Sequence, residues 1–332
     1  MRSLVTAVAL GAASLTCCAQ TAAQTPTPEQ ALQYRPAQKD VEYDIPAPGD
    51  VKRCKVELER GDGVSGFAVF DPNGLTLRRY VDSNADRYID QWRYYQNGIE
   101  VYRDIDNNAN NRADESRWLN TGGTRWGVDP NEDGRIDQWK WLSAEEASRV
   151  AIFAMITGDV DLLTTVLITA DDLKQLGVIE SLSGRILRQV QEPAAALRTV
   201  MQGSTVLTAE SVWRRFDAAM PGVIPKDDGK AADDLVVYES TMAIVETKNQ
   251  HGLVVIGEMV KVGNVWKLTQ VPKPMTGNTV TVARGTLMQP DLLAGGVVSQ
   301  ELSPEMRGLI EQLERLDDKQ PEGNATPAEI VE

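Results

Sequence analysis

The sequence predicts an α+β protein, in which an antiparallel β-hairpin region with acidic loops precedes a helical segment and a second antiparallel sheet. Short turn pairs recur after 24 and then 25 residues, at Asn73-Gly74, Asn97-Gly98 and Gly122-Gly123. Acidic loops recur between them, and after residue 142 the apolar spacing changes from the strand pattern to the helix pattern. Strand-like alternation returns from residue 235.

Length and charge exclude several classes of function. The 332 residues fit two domains of roughly 150 residues each. Acidic residues outnumber basic ones by 48 to 34, and the net charge of −14 argues against a nucleic-acid partner, because a phosphate backbone needs a basic surface. The single histidine, His251, excludes zinc sites built on two histidines. None of the three cysteines forms a C-x-x-C pair, so dithiol chemistry within this chain is not expected.

Residues 1–23 are predicted to be a secretory signal peptide. Arg2 precedes an uncharged apolar run over 4–15, which is too short to span a bilayer, and small residues follow. The protein is therefore expected to be exported to the periplasm or cell envelope. The four residues that end at Cys18 resemble a bacterial lipobox, although Cys17 stands where a small residue is usual. Lipidation of Cys18 is thus the alternative to plain cleavage.

The next two segments differ in composition. Residues 24–50 predict a disordered linker, because five prolines stand among many polar residues. Residues 51–142 predict a meander of hairpins, and Asn-Gly pairs favour type I′ turns because both residues tolerate positive φ. Cys54 lies in a strand predicted over 52–59, where a buried small apolar residue is favoured over a reactive thiol.

Three acidic loops join the hairpins at the end opposite to the turn pairs. Side chains with oxygen atoms occupy relative positions 1, 3, 5 and 9 of each loop. They are Asp82, Asn84, Asp86 and Asp90 in loop 1; Asp106, Asn108, Asn110 and Asp114 in loop 2; and Asp129, Asn131, Asp133 and Asp137 in loop 3. Calcium takes about six to eight oxygen ligands, and this spacing places alternate side chains around one point.

Up to position 9 the loops resemble EF-hand calcium loops. They depart from that family at position 12, where Arg93, Arg117 and Lys140 replace the bidentate glutamate, and only loop 3 has the glycine of position 6, Gly134. The resemblance implies structural calcium sites with a Kd on the order of 10⁻⁴ to 10⁻³ M, best in loop 3 and weakest in loop 2. The alternative is that Asp and Asn form metal-free Asx-turns.

Aromatic residues cluster in the same region, which holds five of the seven tryptophans: Trp92, Trp118, Trp126, Trp139 and Trp141. A row of aromatic side chains on a sheet face is typical of a carbohydrate or peptide platform. It is also typical of cross-strand packing between hairpins, which we favour.

Residues 143–290 predict a helical segment that leads into an α+β sheet domain. Ser143 and Glu146 form a predicted capping box, Thr208 caps another predicted helix, and further helices are expected over 159–168, 170–176, 180–190 and 194–201. Strands are predicted over 235–247, 253–262, 265–271 and 279–288, with turns at His251-Gly252 and Gly263-Asn264. This pattern is similar to the NTF2-like fold, which often encloses a small-molecule pocket. Residues 291–332 predict a helix over 304–316 and a disordered end.

The runs over 89–98 and 118–127, together with 143–146 and 256–267, carry a further likeness. They resemble the N-terminal region of large secreted bacterial proteins whose C-terminal part is a thioredoxin-like (redoxin) domain. This chain contains no such domain and no C-x-x-C pair, so no catalytic residue is carried over. The resemblance implies an accessory region of a thiol-disulfide system.

The sequence shows no catalytic constellation, so a non-enzymatic role is expected. The favoured function is an exported structural or interaction module of the cell envelope, with low-affinity structural calcium and an unknown envelope or protein partner. Two alternatives stay open. One is the accessory region of a redoxin system, and the other is an NTF2-like small-molecule-binding protein or enzyme.

Overall fold

A computed structural model describes residues 25–61, 64–119, 124–202, 204, 206–275 and 285–288. The predicted signal peptide, Cys18, the Gly122-Gly123 turn and the tail over 291–332 lie outside these residues. No helix in the described chain is both long enough and apolar enough to span a bilayer.

The described residues form fourteen strands in one open sheet and six α-helices, which confirms the predicted α+β class. The strands are β1 (Lys55–Gly61), β2 (Val64–Phe70), β3 (Thr76–Asp82), β4 (Gln91–Gln96), β5 (Ile99–Ile105), β6 (Glu115–Trp118), β7 (Arg125–Val128), β8 (Gln138–Leu142), β9 (Val212–Ala218), β10 (Gly222–Ile224), β11 (Leu235–Thr247), β12 (Gln250–Val262), β13 (Val265–Leu268) and β14 (Lys273–Pro274). The helices are α1 (Pro28–Ala31), α2 (Ala144–Thr157), α3 (Val160–Val166), α4 (Ala170–Gln175), α5 (Glu180–Val190) and α6 (Pro193–Met201).

The sheet has two antiparallel parts joined at one seam. Strands β1 to β8 pair in sequence order as a meander, and β13, β12, β11 and β10 continue the sheet beyond β8. Strand β9 pairs with β11, and β14 pairs with β12. The seam is the parallel pairing of β8 with β13, where Leu142 lies opposite Val265.

The two turn pairs that the structure describes have different turn types. Asn97 and Gly98 have φ values of 51° and 75°, as the type I′ prediction requires. At the first pair only Gly74 has positive φ, and its N–H donates to the carbonyl of Asp71 at 3.0 Å. The type I′ prediction is wrong there, because Pro72 starts an ordinary turn and Gly74 follows it in the left-handed region.

The helices pack on β9 and β11 to β13, and they begin where the sequence indicates. Ser143 caps α2 by accepting the N–H of Glu146, and Gly158 ends that helix with a φ of 70°. The Glu146 side chain does not complete a capping box, because it points to Arg125 at 3.5 Å. The face of α2 that meets the sheet carries small residues, which allow a close approach: Ala147, Ala151 and Ala154 are fully buried.

Three predicted elements of the second half are wrong. Thr208 caps a short turn, and the expected helix after it is strand β9, which pairs with β11. The turn before β12 lies at Lys248 and Asn249, not at His251-Gly252. Residues 286–288, the described end of the predicted strand over 279–288, form a turn, and residues 279–284 lie outside the described chain.

Residues 25–50, which we call the arm, are not a disordered linker. The arm lies across the face of β3 to β7 and buries Ala31 and Leu32 completely or nearly so. Tyr80 donates its hydroxyl to the carbonyl of Ala31 at 2.5 Å, and Tyr43 packs edge-on against Tyr94 with ring centroids 5.4 Å apart. Prolines limit regular structure in the arm, but the apolar and acidic residues between them give it specific contacts.

Candidate metal loops

The three acidic loops stack side by side at one edge of the meander. Loop 1 connects β3 to β4, loop 2 connects β5 to β6, and loop 3 connects β7 to β8. Backbone bonds join neighbouring loops, because the N–H of Asp106 donates to the carbonyl of Asp90 and the N–H of Asp129 donates to that of Asp114, both at 2.8 Å. The sequence-predicted residues are therefore brought together in three adjacent groups.

The loops share one backbone conformation. Position 4 has positive φ in each loop, with values of 64° at Ala85, 59° at Ala109 and 57° at Glu132. Position 6 does the same, with 77° at Arg87, 69° at Asn111 and 86° at Gly134. Only one of these six residues is glycine, so the chain accepts backbone strain to keep this shape. The missing position-6 glycines of loops 1 and 2 therefore do not prevent the conformation.

The aspartate at position 1 is fixed in the same way in each loop. It accepts the N–H of position 6, at 3.1 Å from Arg87 to Asp82, 2.7 Å from Asn111 to Asp106 and 2.7 Å from Gly134 to Asp129. These bonds hold the position-1 carboxylates in place, and all three are buried. Burial raises the pKa of Asp129, as do the negative charges of Asp133 and Asp137, while the N–H donors lower it in part.

The aspartate at position 9 has different hydrogen bonds in loop 3 than in loops 1 and 2. Asp90 accepts the N–H groups of Ser83 and Asn84 at 2.9 and 3.2 Å, and Asp114 accepts the equivalent pair in loop 2. Asp137 of loop 3 is exposed and takes a bond from the Asn131 amide at 3.1 Å. The glycine at position 6 favours loop 3, but the position-9 carboxylate of that loop is the least fixed of the three.

Loop 1 contains a buried carboxylate oxygen that lacks a partner. Oδ2 of Asp82 accepts the Ser65 hydroxyl and the Arg87 N–H, whereas Oδ1 is buried and has no hydrogen bond to any described residue. Leaving such an oxygen unsatisfied costs roughly 1–3 kcal/mol, and more for a charged group. A cation bound by the oxygens of Asp82, Asn84, Asp86 and Asp90 would satisfy it, and an all-oxygen donor set suits calcium. The oxygen ligands of loop 1 are therefore of the type that calcium prefers.

Other features argue against a complete EF-hand site in these loops. No group of three or more His, Cys, Asp or Glu side chains in the described residues converges closely enough to hold a metal ion. The cations at position 12 have partners of their own: Lys140 bonds to Glu115, the Arg117 guanidinium lies 4.6 Å from the Trp126 ring centroid, and Arg93 bonds to Gln91. Position 12 thus supplies no oxygen ligand.

Loop 3 supplies an acidic group to loop 2. Glu132, at position 4 of loop 3, accepts the side-chain amides of Asn108 and Asn110, with an oxygen-to-nitrogen distance of 2.9 Å for Asn108. These bonds lower the pKa of Glu132. Loop 2 has only two carboxylates of its own, so this contact ties it to its neighbour.

The aromatic row is packed in part. Tyr80, Tyr94, Tyr102 and Trp118 are buried on the face that the arm covers. Successive ring centroids from Tyr94 through Tyr102 to Trp118 are 5.8 and 5.2 Å apart, as in cross-strand aromatic pairs. The packing interpretation fits these four residues. Among the other tryptophans of the row, Trp141 is 47% exposed and three are half-buried: Trp92, Trp126 and Trp139.

Cys54 is buried at the C-terminal end of a short 3-10 turn, Val51–Arg53, immediately before β1, and not inside a strand as expected. Burial raises the pKa of its thiol, as do the nearby Asp71 and Asp50 carboxylates. We expect its reaction with Ellman's reagent at pH 7 to be slow in the folded chain and fast after denaturation, because the thiolate is the reactive form. Rapid labelling of the folded protein, or a stable mixed disulfide with a redoxin, would favour the redoxin alternative instead.

Comparison with protein-family models, with curated proteins and with solved structures finds no match for this chain.

Proposed function

We propose that the protein is an exported structural or interaction module of the cell envelope, whose β-hairpin repeats carry EF-hand-like loops that take calcium as a structural ion. The observation that supports the calcium site is the buried, unpartnered Oδ1 of Asp82. Export is supported by the apolar run over 4–15. In the same proposal, α2 to α6 on the sheet of β9 to β13 form an NTF2-like unit.

In loop 1 the residues that would hold the ion are Asp82, Asn84, Asp86 and Asp90. When bound, calcium supplies positive charge that offsets the repulsion between the carboxylates. The loop has already fixed two of them with backbone N–H donors. Because the carboxylates of the described loop do not converge, ion binding would draw Asp82, Asp86 and Asp90 closer together. The bonds between neighbouring loops would pass this stabilisation along the stack.

Calcium should stabilise the chain modestly. At millimolar calcium, a site with Kd on the order of 10⁻⁴ to 10⁻³ M adds about 1 kcal/mol to the free energy of unfolding. We expect a higher melting temperature in calcium than in chelator or magnesium at matched ionic strength. Asp82→Asn should reduce this calcium-dependent shift and leave melting in chelator equal or higher, because it removes an unsatisfied buried charge.

Asp227→Asn is the matched control, since Asp227 is exposed in a short turn far along the chain from the loops. It should keep the full calcium-dependent shift. Asp133→Ala tests the share of loop 3 in the same assay. Equal melting of the unmodified protein in calcium, magnesium and chelator would overturn the metal proposal and leave the loops as Asx-turns.

A further inference from the structure

Three surface pockets of similar size lie in the second half of the fold. Two are about 580 and 680 Å³, beside α6 and beside the β11–β12 turn. The third, about 570 Å³, lies where β8 meets β13 and is also lined by residues of α3 and α4; we call it the seam pocket. All three fall in the range of roughly 300–1,000 Å³ that is usual for ligand pockets. The seam pocket differs from the other two by its aromatic wall and its half-buried lysine.

The half-buried lysine of the seam pocket is Lys267, and it forms a donor–acceptor pair with Asp172. The Lys267 ammonium donates to the carbonyl of Thr165 at 2.7 Å and lies 3.8 Å from the Asp172 carboxylate. Their side chains are 14% and 17% exposed, so both groups are held near the wall of the pocket. Asp172 is itself fixed, because it accepts the N–H and hydroxyl of Thr169. The ammonium has three donors, and only one is used by Thr165.

The charges around the seam pocket balance. Asp137 and Asp172 line it together with Lys140 and Lys267, and Lys140 is already bonded to Glu115. An anion would meet Asp172, and a cation would meet Lys267. A hydroxyl group can accept from Lys267 and donate to Asp172 at once, so the pair selects neutral polyhydroxy ligands over ions.

The apolar wall of the seam pocket is Trp139. Its indole N–H donates to the Thr165 hydroxyl at 2.9 Å, which fixes the side chain. A fixed tryptophan beside hydroxyl-binding groups suits a sugar ring, because a sugar presents C–H groups as well as hydroxyls. Thr164 and Asn264 add neutral polar groups to the rim.

We propose that the seam pocket binds a neutral saccharide, with ring hydroxyls on Lys267 and Asp172 and the C–H face along Trp139. The site goes beyond the calcium proposal, and it shares only the exposed Asp137 with loop 3. Binding is therefore expected both in calcium and in chelator. If no sugar binds in either condition, the saccharide proposal is wrong and the calcium proposal is unaffected. The calcium proposal is tested separately by the melting experiments.

The test is titration of the full mature chain with glucose, N-acetylglucosamine and maltose, followed by calorimetry and by saturation-transfer NMR. At least one neutral sugar should bind saturably in the millimolar range, and glucuronate and glucosamine should bind more weakly. Lys267→Met should weaken binding by about tenfold, because it removes a charged hydrogen-bond donor. No saturable neutral sugar, or binding of the charged analogues alone, would overturn the proposal.

Two exposed helical threonines provide a variant and a control that do not depend on the buried pair. Thr164 lines the seam pocket, and Thr199 lines the 580 Å³ pocket; each is exposed on a helix and bonds its hydroxyl to a backbone carbonyl of the preceding turn. Thr164→Trp should block sugar binding, and Thr199→Trp should leave it unchanged. Unchanged binding in folded Thr164→Trp would place the sugar elsewhere and refute the seam site.

Discussion

Deletion of the arm through Gly49 is expected to lower the free energy of unfolding by at least about 4 kcal/mol, since each large apolar side chain that loses its cover contributes roughly 1.5–3 kcal/mol. The deletion removes Leu32 and uncovers Tyr80 and Tyr94, which are each 1% exposed in the intact chain. It also removes the N–H of Ala37 from the buried Asp104 carboxylate, whose pKa burial raises to about 6.

The measurement is chemical denaturation of the deletion beside a shorter deletion that ends at Thr25, before α1. The shorter deletion should change stability by less than about 0.5 kcal/mol, because it removes no buried residue of the described chain. If the long deletion does not fold, Leu32→Ala combined with Tyr43→Ala gives the same test in the full chain. Equal stability of the long and short deletions would mean that the arm is a tether after all.

Arg78 is one reason why we expect deletion of the arm to lower stability strongly. This arginine is fully buried beneath the arm, and no carboxylate of the described chain pairs with it. Its guanidinium carbon lies 4.3 Å from the ring centroid of Tyr43 and 5.1 Å from that of Tyr94. Burial lowers the pKa of Arg78, so the cation depends on these rings and on the carbonyl of Leu77. Tyr43 belongs to the arm, and its loss would remove the nearer ring.

Local periodicity predicted several helices and strands well. It failed for segments whose conformation is determined by long-range contacts. The prediction of a helix over 180–190 and a strand over 235–247 matches α5 and β11 to the residue. The prediction of a disordered linker is wrong for the arm, because its order comes from long-range contacts. One of them joins Ala37 to Asp104, 67 residues away, and no local sequence pattern contains it. The helix predicted after Thr208 is wrong for the same reason, because the pairing of β9 with β11 overrides the capping signal of Thr208.

In the candidate site too, local features were predictable from the sequence and features that depend on long-range contacts were not. The spacing of oxygen side chains found all three loops, because each loop is a local structure. The burial and hydrogen bonding of their carboxylates could not be read from the sequence. The glycine at position 6 favoured loop 3, whereas the unpartnered oxygen of Asp82 lies in loop 1. The seam pocket was also missed, because Lys267 and Trp139 stand far apart in the chain.

Arg125→Met is expected to destabilise the protein by about 3–5 kcal/mol, the usual cost of removing one partner from a buried ion pair. Arg125 joins three parts of the fold: its Nη1 lies 2.8 Å from Asp40 of the arm, its Nε lies 3.5 Å from Glu146 of α2, and its guanidinium stacks 3.8 Å from the Trp118 ring centroid. The Arg125 and Glu146 side chains are only 4% and 1% exposed. The substitution therefore leaves the Glu146 carboxylate buried without a cation, and it releases the arm.

Denaturant unfolding measures the effect, and a second substitution identifies its cause. Glu146→Gln in the Arg125→Met background should recover part of the lost stability, because it removes the uncompensated charge. Arg53→Met is the control, since the exposed Arg53–Asp50 pair should contribute no more than about 1 kcal/mol. An Arg125→Met protein as stable as this control would show that the arm, sheet and helix are held by apolar packing alone. Full loss without recovery by Glu146→Gln would assign the effect to the Trp118 stack and the Asp40 contact.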